Sequence, residues 1–454
     1  MRVSAALFAI CVAGCLASCT LSFPDPGQAP YPCDQASDCA DGFVCIAQVC
    51  QPAGAEVVDA GDAADSGAGL DVGSDDATAG GPDSGLDAGP EDSGGGEMDG
   101  GMSDAGCVLT QCGADCVDLQ TSVQHCGQCQ RDCQVGSCAF GQCQPQVVHQ
   151  QSGAQPTLVV LEASRGQVYW TDQRIGGAIM GRDAALEEPT YVVQSRVRYA
   201  TALAATADYV AWSAVAELSG ARRGSVLYKA WPFTAEPVIA ASDQSNPRGL
   251  TIAAGHVYWN SDSPLYIRGH ALGQAVPNLE LRSAVGSSYA RALVANETDV
   301  FWADSQADIY AQTLNLASTP APRLIVDSVQ GEASDLVLHD GTLYWAEDGT
   351  ALAGQGRIFS APISTGIITE VVAQADPADA EQSATGLAFY QGYLYYTTAT
   401  RARRSGSLFR VPHTGGTPER LVQGNSTDEF RDVAVGNDRI FWTQDDAVYV
   451  LAVP

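Results

Sequence analysis

The chain has 454 residues, 45% of them hydrophobic, and a formal net charge of −30 from 53 acidic and 23 basic side chains. That length exceeds one ordinary domain and predicts two or three units. The acid excess excludes a nucleic-acid binder, which needs basic patches, and electrostatic docking to anionic lipid headgroups.

Residues 1–18 read as an export signal: Met1-Arg2 supplies one positive charge, and a short apolar run from Val3 to Ala17 follows. The run is too short to span a bilayer stably. It ends Leu16-Ala17-Ser18-Cys19, which resembles the bacterial lipobox. The resemblance implies cleavage before Cys19 and a diacylglyceryl group on its thiol. Val12-Ala13-Gly14-Cys15 fits the same pattern, but Cys15 would leave a very short apolar segment. No later apolar run reaches membrane-spanning length, so the expected membrane partner is reached through lipid alone. The expected location is exported and lipid-anchored, at the outer membrane or cell surface.

The 15 cysteines all precede residue 144. Residues 19–52 hold the lipidated N-terminus and four of them, Cys33, Cys39, Cys45 and Cys50. So short a segment cannot bury a core, and two disulfides are expected to hold it, in any of three pairings. Residues 53–106 repeat Asp-Ala-Gly, Asp-Ser-Gly and Gly-Gly-Gly, with 14 acids and no base. Such a segment cannot offset the entropy of ordering and reads as a disordered linker with a reach of about 40 Å. Its acids wander in spacing, unlike the fixed ligand positions of a calcium loop.

Residues 107–143 carry Cys107, Cys112, Cys116, Cys126, Cys129, Cys133, Cys138 and Cys143. Cys126-Gly-Gln-Cys129 taken alone is compatible with a redox pair or half a zinc site. Crowding by six further cysteines in an oxidising compartment favours four structural disulfides, with no metal. The segment looks like the eight-cysteine modules found beside such stalks in secreted bacterial proteins.

Residues 144–454 repeat one pattern: an apolar strand, a tight turn, an apolar-aromatic strand, a loop and a further strand. The landmarks are Trp170, Trp212, Trp259, Trp302, Trp345, Tyr396 and Trp442. Their spacing, 42 to 51 residues, is that of a four-stranded propeller blade. Six of the seven tryptophans take this one position; Trp231 is the exception. Gly166, Gly255, Asn296, Gly341, Gly392 and Asn437 precede the landmark strands and suit tight hairpins. The chain stops after the third strand of the seventh unit, Val448–Ala452. Gln146-Val147-Val148-His149 is available as its missing strand, which closes the ring. The fold class expected is therefore all-β, a seven-bladed β-propeller, with six blades as the alternative.

Tyr169-Trp170-Thr171-Asp172 resembles the YWTD signature of low-density-lipoprotein-receptor propellers. Only the first unit matches fully, and Asp304 keeps the register. Leu408-Phe409-Arg410-Val411-Pro412 with Gly415-Gly416 looks more like bacterial TolB-type and lipoprotein propellers. Both resemblances imply a binding scaffold, and neither implies catalysis.

Loops leading into inner strands bring Arg196, Arg198, Tyr199, Arg248, Tyr289, Arg291, Glu332, Asp335, Phe430, Arg431 and Asp432 to one face. Tyr199, Arg248, Tyr289, Arg291 and Arg431 form the candidate ligand mouth. Arginines beside aromatics suit carboxylate, phosphate or sugar, and equally suit ion pairs with a neighbouring blade. Long loops at 214–224 (with Arg222 and Arg223), 348–356 and 398–406 (with Arg401, Arg403 and Arg404) are a second candidate set. His256 and His339 belong to hairpin turns, Glu347-Asp348 and Asp445-Asp446 read as loop acids, and no nucleophile motif is present, so no catalytic residue or cofactor is expected. The function expected is a monomeric binding scaffold for a protein, glycan or anionic ligand. The alternatives are a carbohydrate-active or lactonase-like enzyme and an envelope-organising spacer.

Overall fold

The computed structural model describes residues 31–32, 43–46, 49–52 and 109–454, the last apart from 174–175, 216–222, 263–264, 275–278, 282–289, 305–307, 315–320, 328–332, 348–355, 379–381 and 401–404. The chain divides into two compact units, Met1–Asp99 and Gly100–Pro454. In the first, Phe43–Ile46 and Val49–Pro52 form a hairpin with Tyr31–Pro32 on its far edge. Cys33, Cys39, the side chains of Cys45 and Cys50, the expected lipidation residue Cys19 and the acidic stretch 53–106 lie outside the described residues.

The second unit is a seven-bladed β-propeller of four-stranded antiparallel sheets. Its inner strands are Pro156–Glu162, Ala200–Ala205, Leu250–Ala253, Ala290–Ala295, Ala333–His339, Gln382–Tyr390 and Phe430–Gly436, which define blades 1 to 7. Each landmark aromatic lies on the second strand, opposite an aliphatic residue of the inner one: Val159 faces Trp170, Leu250 faces Trp259 and Val433 faces Trp442. All six landmark tryptophans and Tyr396 are buried, whereas Trp231 is partly exposed. They pack between blades, as where Trp170 of blade 1 meets Phe441, Val448 and Val450 of blade 7. An aromatic of that size buries more apolar area than any aliphatic at the same position, which is why one residue per blade can set the packing.

Ring closure uses the expected segment. Gln146–Gln150 pairs with Ala447–Ala452 as the outer strand of blade 7, His149 opposite Val448 and Val147 opposite Tyr449. The first strand of the propeller thus holds the last, and blade 7 has its full four strands. Asn296 enters its turn without a left-handed backbone. Its Oδ1 instead accepts the Thr298 and Asp299 amides at 2.9 and 2.7 Å.

The cysteine-rich segment precedes the propeller within the same unit. Disulfides join Cys112 to Cys129, Cys126 to Cys138 and Cys133 to Cys143, and Cys116 is also disulfide-bonded. Cys107 lies outside the described residues. Cys126 and Cys129 thus take different partners and do not form a redox pair with one another. Cys126, Cys133 and Cys143 lie close enough to ligate a metal, but all three sulfurs are bonded to sulfur and are not available as thiolates. Among the described residues no helix is long and apolar enough to cross a membrane.

Candidate functional site

The seven inner strands begin at one end of the central channel. Two residues before the aliphatic that faces each landmark stand Thr157, Thr201, Arg248, Arg291, Ser334, Thr385 and Arg431, one per blade. Among the described side chains the mouth is therefore a ring of four hydroxyls and two arginines, Arg248 and Arg431, with Arg291 placed there by its backbone position alone. It surrounds a cavity of about 500 Å³ on the axis, whose wall includes Thr157, Arg248, Ser334, Asp335, Arg431 and Asp432.

Each described member of this ring is held. The Thr157 hydroxyl pairs with that of Thr171 at 2.9 Å, Thr201 with Ser213 at 2.9 Å and Thr385 with Thr397 at 3.1 Å. Ser334 donates to the Ala384 carbonyl of the next blade at 2.9 Å. Arg431 donates to the Pro156 and Asp445 carbonyls at 2.9 and 3.1 Å and pairs with Glu429 at 2.5 Å. Arg248 lies 3.7 Å from Asp262, with about a third of its side chain exposed. Asp262 also accepts the Asn246 amide at 2.6 Å. Arginines whose charge is met in this way are oriented donors more than free anion traps.

One residue further along, five of the inner strands present an apolar residue or glycine, and two present Asp335 and Asp432. These were expected in loops; both lie on strands and line the channel. Asp335 accepts the Leu336 amide and, from blade 6, the Leu387 amide, both at 2.8 Å. Asp432 accepts the Val433 amide and, across the seam in blade 1, the Val159 amide, both at 2.9 Å. Gly386 lies between them, and a Cβ there would come within 2.9 Å of the Asp432 carboxylate. Burial pushes the Asp335 carboxyl up to about 6. Burial, aided by the Asp335 charge, pushes Asp432 up to about 7. The channel thus holds two interacting carboxyls that resist full ionisation near neutral pH.

The remaining candidates separate. Tyr199 takes a left-handed turn between blades 1 and 2, where its carbonyl accepts the Val215 amide at 3.2 Å. Tyr289 and Glu332 lie outside the described residues, and Arg291 is placed by its backbone only. Arg222, Arg401, Arg403 and Arg404 also lie outside, as does nearly all of the loop at 348–356. Glu347 is not a loop acid: it ends the second strand of blade 5, is buried and accepts the Trp345 indole N–H at 3.2 Å. His339 ends an inner strand and stacks on Phe389 with ring centroids 3.7 Å apart. Asp172 and Asp304, the acids of the Trp-x-Asp match, accept the Gln155 and Asp308 amides, each at 3.1 Å. They tie down backbone at the ends of their strands.

These observations define a disulfide-bonded β-propeller with a polar axial cavity. No protein-family model matches the chain, and neither does any curated protein sequence. Similar solved structures include a xyloglucanase from Xanthomonas campestris (14% identity, TM-score 0.50, covering 68% of this chain and 54% of that one) and a virginiamycin B lyase from Staphylococcus aureus (13%, 0.49, 68% and 99%). A computationally designed protein is also similar (14%, 0.45, 67% and 98%). At such identities the likeness is one of fold.

Proposed function

We propose that the chain is an exported lipoprotein, anchored by lipid on Cys19, whose propeller is a binding scaffold with its ligand at the axial mouth. The observation that carries this reading is the ring of hydroxyls and oriented arginines above the 500 Å³ cavity. Its charges balance locally: Arg248 pairs with Asp262 and Arg431 with Glu429, while burial disfavours the charged forms of Asp335 and Asp432 on the same wall. Such a mixed donor and acceptor array suits the hydroxyls of a glycan better than a strongly charged anion. The acidic linker supports the anchored reading, because its length sets the binding head away from the membrane.

The test is the melting temperature of the full chain, made soluble by Cys19→Ser, against neutral and acidic oligosaccharides, organic acids and peptides. A ligand bound only by the native state raises the midpoint by mass action. The expected result is a rise with an oligosaccharide that is lost in the Arg248→Ala, Arg291→Ala double variant. A rise with peptides alone would move the reading to a protein partner. Rises that survive the double variant would remove the mouth from the account.

A further inference from the structure

A second cavity, of about 480 Å³, opens off the axis between blades 1 and 2. It lies where blade 2 departs from the repeat. Two residues beyond the landmark aromatic, blades 5 and 7 carry Glu347 and Gln444, which accept the indole N–H of Trp345 and Trp442 at 3.2 and 3.1 Å. Blade 3 solves the same problem from its neighbour: Gln244, on the outer strand of blade 2, accepts the Trp259 indole N–H at 3.2 Å. In blade 2 the residue at this position is Ala214, with no polar atom on its side chain. The corresponding end of the blade 1 outer strand, Gln194–Ser195, lines the cavity instead of filling it. Trp212 is buried against this space, and no hydrogen bond to its indole occurs among the described residues.

Three arginines surround the gap. Arg196 and Arg198 come from the turn between blades 1 and 2, and Arg223 begins the third strand of blade 2. Arg223 pairs with Asp243 at 3.0 Å, the one acid among the described residues of the wall. Arg198 is exposed and makes no ion pair among the described residues. The rest of the wall is mainly apolar, with Val215, Leu227 and Pro237 beside Trp212. A positive cluster on a propeller whose own net charge is −11 is a local reversal of sign. Guanidinium groups at the rim, an indole donor at the base and apolar walls match a flat ring that bears a carboxylate.

We infer that the cavity between blades 1 and 2 is a binding site for a small cyclic or aromatic carboxylate, its anion held by Arg196, Arg198 and Arg223 and its ring against Trp212. The site is independent of the axial mouth.

The probe is 2-naphthoate, titrated into the full Cys19→Ser chain by calorimetry, with uncharged 2-naphthamide as control. Naphthoate is expected to bind saturably, and naphthamide at least tenfold more weakly. Arg198→Ala, at an exposed position that leaves the fold intact, is expected to weaken naphthoate at least tenfold. Ala214→Gln restores the acceptor used in blade 7, so it is expected to abolish binding and raise the melting temperature. Arg248→Ala, in the mouth, is expected to leave naphthoate binding unchanged, so failure of the mouth and failure of this cavity are distinguishable. No saturable binding of naphthoate, equal binding of the amide, or full affinity in Arg198→Ala would overturn the assignment.

Discussion

Val148 and Val147 are neighbours in the closing strand, and the ring makes opposite demands of them. Val148 is buried among Trp170, Phe441 and Val450, whereas Val147 is exposed. Truncating Val148 to alanine removes two buried methyl groups, at about 0.8 kcal/mol each for transfer, and leaves a small void. The cost is about 2 kcal/mol. An unfolding entropy of about 2.1 cal/mol/K per residue over roughly 300 residues converts this to a fall of about 3 °C in melting temperature. Val147→Ala leaves no void and is expected to shift the midpoint by less than about 1 °C. Differential scanning calorimetry under non-reducing conditions reads both variants. Equal effects, or none for Val148→Ala, would refute the pairing of Gln146–Gln150 with blade 7, because a segment outside the sheet has no buried face.

Raised carboxyls in the channel make stability pH-dependent. Asp335 and Asp432 have folded values near 6 and 7, above those of an unfolded chain, so the fold favours their protonated forms. Their contribution is therefore greatest below about pH 4 and is lost as pH rises toward 7, on the order of 3 kcal/mol for a shift of this size. The stability of wild type minus that of Asp432→Asn, from urea titrations between pH 4 and 8, should fall across that window and then level off; a flat difference would contradict the burial of the carboxyl. Replacing Cys126 and Cys138 together by serine is expected to destabilise the second unit by about 3 kcal/mol, read by denaturant midpoint, since the bond closes a short loop around a buried sulfur. Cys19→Ala is expected to move the protein from the membrane fraction to the soluble fraction; retention in the membrane would place the anchor elsewhere.

The propeller was legible because one bulky aromatic marks the same strand of every blade, and a period of that kind survives variable loops. The closing strand was legible because a count of strands left the seventh unit one short. The channel carboxylates were harder to place. The inner strands of every blade but the third carry register shifts near their starts, for example between Ala333 and Asp335 and between Phe430 and Val433. A bulge breaks the alternation of faces, so a pattern of period two cannot show that Asp335 and Asp432 turn into the channel. Glu347 was misplaced for a related reason. An acid at the end of an apolar strand reads as the start of a loop, and only the neighbouring indole N–H shows why it is buried. The cavity at Ala214 was readable in principle, by aligning the residue two beyond each landmark and noting that one blade lacks a polar side chain there.

The binding scaffold is tested most directly by locating a bound ligand. Hydrogen–deuterium exchange on the full Cys19→Ser chain, with and without the oligosaccharide that most raises its melting temperature, reports which amides the ligand protects. Protection of the inner-strand starts, around Leu158, Gly249, Asp335 and Asp432, is the expected result. Protection confined to outer strands or to the opposite end of the channel would contradict the mouth as the binding site.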